Sequence, residues 1–381
     1  MKIAYATTYN PKDKGQWSGL GYYIGKSLEN VGLSVAYLGP LKDRFSLTAT
    51  LKQRIYVKLF NRLFLRDRAP FLLEEYAEQI AVKLSRMIPD VVFSPGHIPV
   101  ARLNSNLPVV VYTDSVFCQM IDFYPDYKRI CQESIGHAIA MEKQSLRNCA
   151  RVIYSSDWAA NAAVELYDVS PEKVRVVPFG ANIDFHLTIN DIQRIVDARP
   201  CDRCKLIFLG VDWFRKGGDI ALSVAEKLVQ KGMKIELKII GCIPESVDTL
   251  PDYVHVIGYI SKEGCMDLRR FTAHLSEAHF LILPTRADCT PVVFSEANSF
   301  GVPCLSTQCG GIPSIIKDDV NGKLFPISFQ PEEMAEFIFE KFQDYDCYKE
   351  LAFSAYKEYR ERLNWSSSGK RIQAILEELL C

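Results

Sequence analysis

The stretch from Phe280 to Gly311 constrains the fold of this chain most strongly, because it places a helical signal between two apolar runs. Phe280–Leu283 is apolar throughout and short enough to be a buried parallel strand. Thr290 is a typical N-cap residue, and Pro291 suits the first helical position, where a missing N–H costs nothing. Gly301 suits a left-handed helix end. The stretch therefore predicts a strand, a loop, a helix, a second strand and a glycine-rich loop.

The same alternation of strands and helices occurs in two series along the chain. The first series has predicted strands at 2–6, 33–38, 90–93, 109–112, from 151, and at 173–178. The second has predicted strands at 205–209, 235–240, 254–257, 280–283, 303–305 and 323–325. Two such series predict an α/β chain with two Rossmann-like domains facing a cleft. We expect the domains at 1–185 and 204–364, with a polar linker at 186–203.

Composition excludes several functional classes. The 381 residues carry a formal net charge of −1, which gives no bulk electrostatic footprint for nucleic acid. No apolar run is long enough to span a bilayer, and the N-terminus becomes polar too soon for a signal peptide, so we expect a cytoplasmic protein with reduced cysteines. The lone Cys201-x-x-Cys204 and the Asp344-x-Asp346 pair are poor metal signals, and we expect no metal.

Two carboxylates mark the central stretch. Asp288 precedes the predicted helix and Glu296 lies inside it. Helical side chains lean toward the N-terminus, so Glu296 can approach the end at which Asp288 lies. That end suits an anionic ligand such as a diphosphate, and a carboxylate beside it can accept hydrogen bonds from sugar or ribose hydroxyls. The alternative is an ordinary capped surface helix with an acidic first turn.

These residues resemble a known family. This stretch has an acid, seven further residues and Glu-Ala, and then F-G-V-P and G-G. The pattern is similar to the E-x7-E block of retaining glycosyltransferases of family 4, which have the GT-B fold. The first acid is Asp288 instead of Glu, and Ser314 stands where that family often has Glu. The resemblance implies transfer of a hexose from a nucleotide sugar, such as UDP-glucose, to a saccharide or lipid-linked saccharide in polysaccharide synthesis. It also implies that a C-terminal helix, 365–381, packs back on the first domain.

The glycine-rich loop after residue 209 extends the resemblance. The family usually shows G-R-x-x-x-x-K-G there, and this chain has Lys216 at the Lys position but Val211 at the Arg position, with Arg215 as a possible substitute. The resemblance implies that Lys216 and Arg215 bind the donor diphosphate and that Glu296 holds the ribose. The nucleotide sugar would be the donor substrate, with no separate cofactor. A solvated turn is the alternative for the two cations.

The resemblance assigns the remaining donor contacts to three short segments. Asp288 and the backbone after it, at Cys289, Thr290, Pro291 and Val292, would hold the donor sugar. The backbone at Gly258 and Tyr259 would receive the base.

Two loops of the first half complete the predicted site. Gly19 lies in a glycine-rich loop, which in family 4 faces donor phosphate and acceptor; its spacing misses the dinucleotide fingerprint of a dehydrogenase. Asp114 follows the strand at 109–112, and it could orient the acceptor hydroxyl or serve as a helix cap. His97 reads as an ordinary loop histidine. A nucleotide-sugar epimerase or a catalytically silent binder remain alternatives to a transferase.

The segment from Lys42 to Arg68 is locally basic. Four leucine or isoleucine residues recur at a spacing of four, with three aromatic residues beside them, which predicts an amphipathic helix with a cationic face. The repeat is Leu51, Ile55, Leu59 and Leu63, and the aromatic residues are Tyr56, Phe60 and Phe64. One interpretation, which the sequence favours, is a helix packed on its own domain with a solvated basic side. The other is a peripheral contact of residues 51–68 with an anionic membrane.

Overall fold

The computed structural model describes residues 1–43, 46–245 and 249–381 and divides them into two compact units. The first unit consists of Met1–Pro178 together with Ser368–Cys381, and the second consists of Phe179–Ser367. Each unit is built around one parallel β-sheet.

The sheet of the first unit has its strands in the order β2-β1-β3-β4-β5-β6, all parallel. These strands are β1 (Lys2–Tyr5), β2 (Ser34–Tyr37), β3 (Val91–Ser94), β4 (Val109–Thr113), β5 (Arg151–Tyr154) and β6 (Val174–Val176). The helices are α1 (Leu20–Asn30), α2 (Ser46–Phe60), α3 (Pro70–Leu84), α4 (Phe117–Phe123), α5 (Gln132–Asn148) and α6 (Asp157–Tyr167). Central side chains such as Val92 and Val111 are fully buried, as expected when helices cover both faces of a parallel sheet.

The second unit has the strand order β12-β11-β10-β7-β8-β9, again all parallel. Its strands are β7 (Cys204–Leu209), β8 (Ile235–Ile240), β9 (Val254–Gly258), β10 (Phe280–Leu283), β11 (Cys304–Thr307) and β12 (Gly322–Phe325). Its helices are α7 (Ile189–Asp197), α8 (Gly218–Gln230), α9 (Cys265–Glu277), α10 (Val292–Asn298), α11 (Pro331–Gln343) and α12 (Tyr345–Arg362). Helix α13 (Trp365–Leu380) follows, and its residues from Ser368 onward belong to the first unit. The prediction of two Rossmann-like α/β domains is confirmed.

The strand orders fix where ligands should bind. In the second unit the order is that of a doubly wound dinucleotide-binding sheet, and the direction of strand addition reverses between β7 and β10. Open α/β sheets bind ligands at the carboxyl ends of the strands at such a reversal. The loops that follow β7 and β10 are therefore the first place to look for a site.

The segment 186–203, predicted to be a linker, instead contains helix α7. Thr188 and Asp191 form a reciprocal capping box at its start, and Ile192 and Val196 are fully buried beneath it. The helix is stable there because its apolar side is covered and its first N–H groups are capped.

Helix α10 begins one residue later than predicted. Pro291 has the extended conformation of an N-cap residue, with φ −67° and ψ 116°, so Thr290 is not the cap. The helix has only 7 residues. Gly301 adopts φ +62°, the left-handed conformation expected of it.

Candidate active site at the carboxyl edge of the second sheet

The loops after β7 and β10 touch through a glycine. Gly217 adopts φ +77°, and a Cβ at this position would lie 2.1 Å from the carbonyl oxygen of Pro284. Thr285 adds a second tie, because its hydroxyl donates a hydrogen bond of 3.0 Å to the carbonyl of Arg215. Only glycine fits so close an approach with that backbone conformation. The contact brings Lys216 next to the acidic loop 72 residues further along the chain.

Lys216, Arg215 and Asp288 form one cluster. The Lys216 ammonium contacts the Asp288 carboxylate directly, and the two side chains are 11% and 12% exposed. One guanidinium nitrogen of Arg215 lies 3.7 Å from Asp288 and also donates to the carbonyl of Ala287 at 2.8 Å. Asp212, which sequence reasoning missed, accepts from the Arg215 backbone at 2.9 Å and from its side chain at 3.2 Å. Three of the predicted donor-site residues therefore meet.

Val211 occupies the position at which the family usually has an arginine, and it supplies no positive charge there. Its side chain is 67% exposed and carries no charge. Arg215, the suggested substitute, does stand beside Asp288, as described above. The cations near Asp288 thus come from two consecutive residues at the end of the loop.

Glu296 is fully buried and only half satisfied. One carboxylate oxygen accepts a hydrogen bond of 2.6 Å from the ammonium of Lys262. The other oxygen is buried and has no hydrogen-bond partner within the described parts of the chain. Lys262 lies after β9, also packs over the ring of Phe271, and was not predicted, since nothing in its local sequence marks it. A buried carboxylate oxygen without a partner is uncommon and calls for an explanation.

The segment from Cys289 to Val292 is buried and fixed to its neighbours. The backbone N–H of Gly311 donates to the carbonyl of Cys289 at 2.8 Å, which ties the loop after β11 to the loop after β10. That N–H is therefore already used within the protein. Thr290 and Pro291 are buried within the same segment.

Gly258 ends strand β9 at the same carboxyl edge, and Tyr259 follows it directly. Gly258 adopts φ +78° with open space where a Cβ would be, and its carbonyl accepts from Gly241 at 3.0 Å. The Tyr259 side chain is 73% exposed. An open backbone beside an exposed aromatic ring is suited to a planar base, because aromatic rings stack on such groups.

The predicted residues of the first unit follow β1 and β4. Gly19 adopts φ +85° and directly precedes α1; Trp17 and Ser18 before it also have left-handed backbones, with φ 45° and 53°. Asp114 is half-buried after β4, and the Ser115 hydroxyl donates to it at 3.3 Å. Consecutive left-handed non-glycine residues are strained and concentrate at functional sites.

The N-cap residue of helix α4 is Val116, so Asp114 does not cap this helix. Glu142 accepts a hydrogen bond of 2.7 Å from the Phe117 N–H. Burial raises the pKa of Glu142 to about 7. His97 lies 3.7 Å from Glu142 and 3.0 Å from the Ser145 hydroxyl, and burial, reinforced by the Arg68 cation, lowers its pKa to about 3. His97 is thus a buried neutral histidine.

No metal site is visible in the ranges that the structure covers. Among those residues no group of three or more His, Cys, Asp or Glu side chains is arranged to hold a metal ion. Cys204 is buried at the start of β7 and Cys201 is exposed, both as free thiols.

Comparison with known proteins addresses the fold and the family. Residues 203–344 match the family described as Glycosyl transferases group 1. A D-inositol 3-phosphate glycosyltransferase from Saccharomonospora viridis is 24% identical over 254 residues, which are 63% of this chain and 58% of that protein. Sucrose-phosphate synthase from Thermosynechococcus elongatus superposes with a TM-score of 0.68 at 16% identity, over 99% of this chain and 98% of that one. Anabaena HepE in complex with UDP-glucose gives 0.63 at 15% identity, over 99% and 100%.

The resemblance to family 4 glycosyltransferases is confirmed, and the fold is GT-B. The family match includes Lys216, Asp288 and Glu296, so the clustered residues of this family 4-like chain lie inside the matched region. The chain spans 58% of the length of the S. viridis relative.

Proposed function

We propose that this chain is a retaining, metal-independent hexosyltransferase that uses a UDP-sugar, with UDP-glucose as the first candidate. The acceptor would be a saccharide or lipid-linked saccharide in polysaccharide or glycoconjugate synthesis. The HepE complex with UDP-glucose supports the choice of donor, since that protein shares the fold. All 12 cysteines are free thiols, which supports a cytoplasmic setting. Contact with an anionic membrane through residues 51–68 is proposed separately, because it depends on a different part of the first unit.

The half-satisfied carboxylate of Glu296 is the observation that carries the donor class. A fully buried carboxylate oxygen without a partner loses its hydration and gains nothing in return. A hydroxyl group of a ligand would satisfy it, because a carboxylate oxygen accepts hydrogen bonds, and the family resemblance assigns a ribose hydroxyl to this acid. Glu296 would therefore bind the ribose of the nucleotide, beside Lys262.

Lys216 and Arg215 would stabilise the departing diphosphate. As the bond between the anomeric carbon and the phosphate oxygen breaks, the sugar becomes oxocarbenium-like and negative charge grows on the diphosphate. A diphosphate would compete with Asp288 for the Lys216 ammonium. Asp288, freed from this contact, would then accept hydrogen bonds from hydroxyl groups of the donor sugar.

Retention follows if the departing phosphate oxygen takes the proton of the acceptor hydroxyl. The acceptor oxygen then bonds to the anomeric carbon on the face that the phosphate leaves, and the nucleoside diphosphate departs with the proton. The protein has to supply only placement and charge for this step. Asp114 stays the candidate for orienting the acceptor hydroxyl by accepting its hydrogen bond, and Gly19 for letting the loop approach the substrates.

A screen of nucleotide sugars tests the proposal. Thermal unfolding should shift upward with UDP and UDP-sugars more than with ADP- or GDP-sugars, since binding to the folded state stabilises it. With a sugar acceptor found by product analysis, nuclear magnetic resonance should show the anomeric configuration retained, and a chelator should leave the rate unchanged. No stabilisation by any nucleotide sugar would refute the proposal; release of nucleotide with no transfer to acceptor would indicate an epimerase instead.

A further inference from the structure

Helix α2 turns an apolar stripe outward. The side chains of Leu51, Ile55 and Leu59, here called the apolar stripe, are 61%, 43% and 72% exposed, and Phe60 at the end of the helix is 62% exposed. The helix does pack on its own unit, but through Tyr56 and not through the apolar stripe. Leu63, the fourth residue of the predicted repeat, lies beyond the helix and is half-buried. An exposed apolar stripe of this size on a helix marks a surface that contacts something else.

The inward side of α2 is a different set of residues. The Tyr56 hydroxyl donates to Glu133 at 2.8 Å, and the Lys52 ammonium contacts the same carboxylate. The Tyr56 ring stacks on Phe64, which is buried, with ring centroids 5.6 Å apart. These contacts fix the rotation of the helix, so the outward position of the apolar stripe follows from the packing of its other side.

A row of positive charge runs beside the apolar stripe. Arg54, Lys58 and Arg62, here called the cationic row, recur at a spacing of four residues and are all exposed. The segment Ser46–Phe60 contains no Asp or Glu. The Arg62 guanidinium donates to the carbonyl of Lys128 at 2.9 Å, and Lys128 is a further exposed cation at that end. Asp126, two residues before Lys128 in the sequence, is an exposed acid. The surface around the cationic row is therefore not uniformly positive.

We propose that α2 lies in the plane of an anionic lipid surface, with the apolar stripe entering the acyl boundary and the cationic row contacting headgroup phosphates. A helix of 15 residues is about 22 Å long, enough to lie along a membrane surface. Apolar residues on one side and Lys and Arg beside them are the features of helices that bind in this way. None of the helices in the described ranges has the length and apolar character of a membrane span.

Charge favours a lipid surface over a second copy of this chain as the occupant. Two copies pairing through the apolar stripe would bring their cationic rows into one interface, with no acid in the segment Ser46–Phe60 to balance them. Like charges brought together at an interface are unfavourable. Lipid phosphates supply the opposite charge directly.

Flotation with lipid vesicles tests the proposal on the full chain. Wild type should float with vesicles of phosphatidylcholine containing phosphatidylglycerol and should stay behind with phosphatidylcholine alone. Arg54→Glu/Lys58→Glu should lower the partition coefficient at least about 25-fold, since each basic residue near an anionic surface contributes a factor of roughly five. Leu51→Ser/Leu59→Ser should lower it by on the order of 10- to 100-fold, because the inserted apolar area is lost. These side chains are exposed, so both variants should keep the thermal stability of wild type and its affinity for UDP.

A matched charge reversal on another helix distinguishes an effect of the α2 surface from an effect of the protein's net charge. Lys143 and Arg147 on α5 have the same spacing and are exposed, so Lys143→Glu/Arg147→Glu changes the net charge equally and should float as wild type does. Equal loss in this control would overturn the assignment to α2, as would absence of binding to anionic vesicles. A wild-type dimer that becomes monomeric on Leu51→Ser/Leu59→Ser, without flotation, would assign the stripe to a second copy and also overturn the proposal. Neither result bears on nucleotide-sugar binding, which is measured separately.

Discussion

Replacing Glu296 by glutamine should separate nucleotide affinity from stability in the second unit. The substitution keeps the shape of the side chain and removes its charge. In the structure one oxygen of Glu296 is paired with Lys262 at 2.6 Å and the other is buried without a partner in the described chain. A ligand hydroxyl that binds the second oxygen makes a hydrogen bond to a charged group in a buried place.

The size of the effect follows from that contact. A hydrogen bond to a charged group contributes about 1.5–3 kcal/mol, so Glu296→Gln should weaken UDP binding roughly 10- to 150-fold. The free energy of unfolding without ligand should change by less than about 1 kcal/mol, since losing the pair with Lys262 is offset by removing a buried charged oxygen that has no partner. Lys262, with a side chain 29% exposed, can turn to water.

Calorimetry with UDP and 2′-deoxy-UDP gives the decisive comparison. Wild type should prefer UDP, and Glu296→Gln should lose most of this preference, because the carboxylate no longer distinguishes the ribose hydroxyl. Glu358 is the matched control: it is also nearly buried and paired with cations, at 2.8 Å to Lys317 and in contact with Arg362, but it lies on helix α12 and not on a loop that follows β7 or β10. Glu358→Gln should lower stability by on the order of 2 kcal/mol and leave UDP affinity unchanged. Unchanged UDP affinity in Glu296→Gln, or a full preference for the ribose hydroxyl, would refute the role of Glu296.

Three further substitutions test other parts of the two units. Lys216→Met should lower turnover of UDP-glucose by roughly 100- to 1,000-fold, because the charge that stabilises the leaving diphosphate is gone. The control Lys231→Met removes an exposed lysine that is also paired with a carboxylate, and it should leave the rate within a factor of about two. A similarly small effect of Lys216→Met would exclude Lys216 from the chemistry. Gly217→Ala should lower the free energy of unfolding by at least about 3 kcal/mol, because the added Cβ clashes with the backbone of Pro284. The control Gly232→Ala should lower it by about 1 kcal/mol, since Gly232 also has a positive φ, +82°, but has open space around it. Equal losses in chemical denaturation would contradict the close approach of Gly217 to Pro284. Burial raises the pKa of Glu142 to about 7 in the folded protein. A carboxyl group whose pKa is raised by folding destabilises the fold increasingly as the pH rises from its pKa in the unfolded chain to its pKa in the folded protein. The free energy of unfolding of Glu142→Gln relative to wild type should therefore be greater at about pH 8 than at about pH 4.5, by on the order of 3 kcal/mol; a difference that does not depend on pH would show that Glu142 is ionised in the fold.

The strands could be predicted from the sequence because buried parallel strands are continuous apolar runs. Phe280–Leu283 and Ile235–Ile240 were placed at their observed bounds for this reason. Helix α7 was missed although its signal was present, since Thr188 and Asp191 have capping-box spacing. The surrounding charged residues concealed the apolar repeat of Ile192 and Val196.

The site was predicted in its residue types but not in its contacts. Spacing and resemblance pointed to Lys216 and Asp288, but their direct contact depends on the approach of Gly217 to Pro284, which only the folded loops reveal. Lys262 could not be found, because a lysine in a polar loop has no distinctive pattern until it meets a buried acid. Likewise, the repeat in α2 predicts a stripe but does not tell whether protein covers it.

The first unit is made of two segments that are distant in sequence. Ser368–Cys381 belongs to it, with Ile372 and Leu376 fully buried and the Ser368 hydroxyl donating to Pro178 at 2.8 Å. During synthesis the ribosome therefore produces the whole second unit before the segment that completes the first one. The earlier-made sheet must wait, with part of its apolar surface uncovered, until this last segment has left the exit tunnel. The order of emergence therefore exposes the first unit to chaperones while the second unit is being translated.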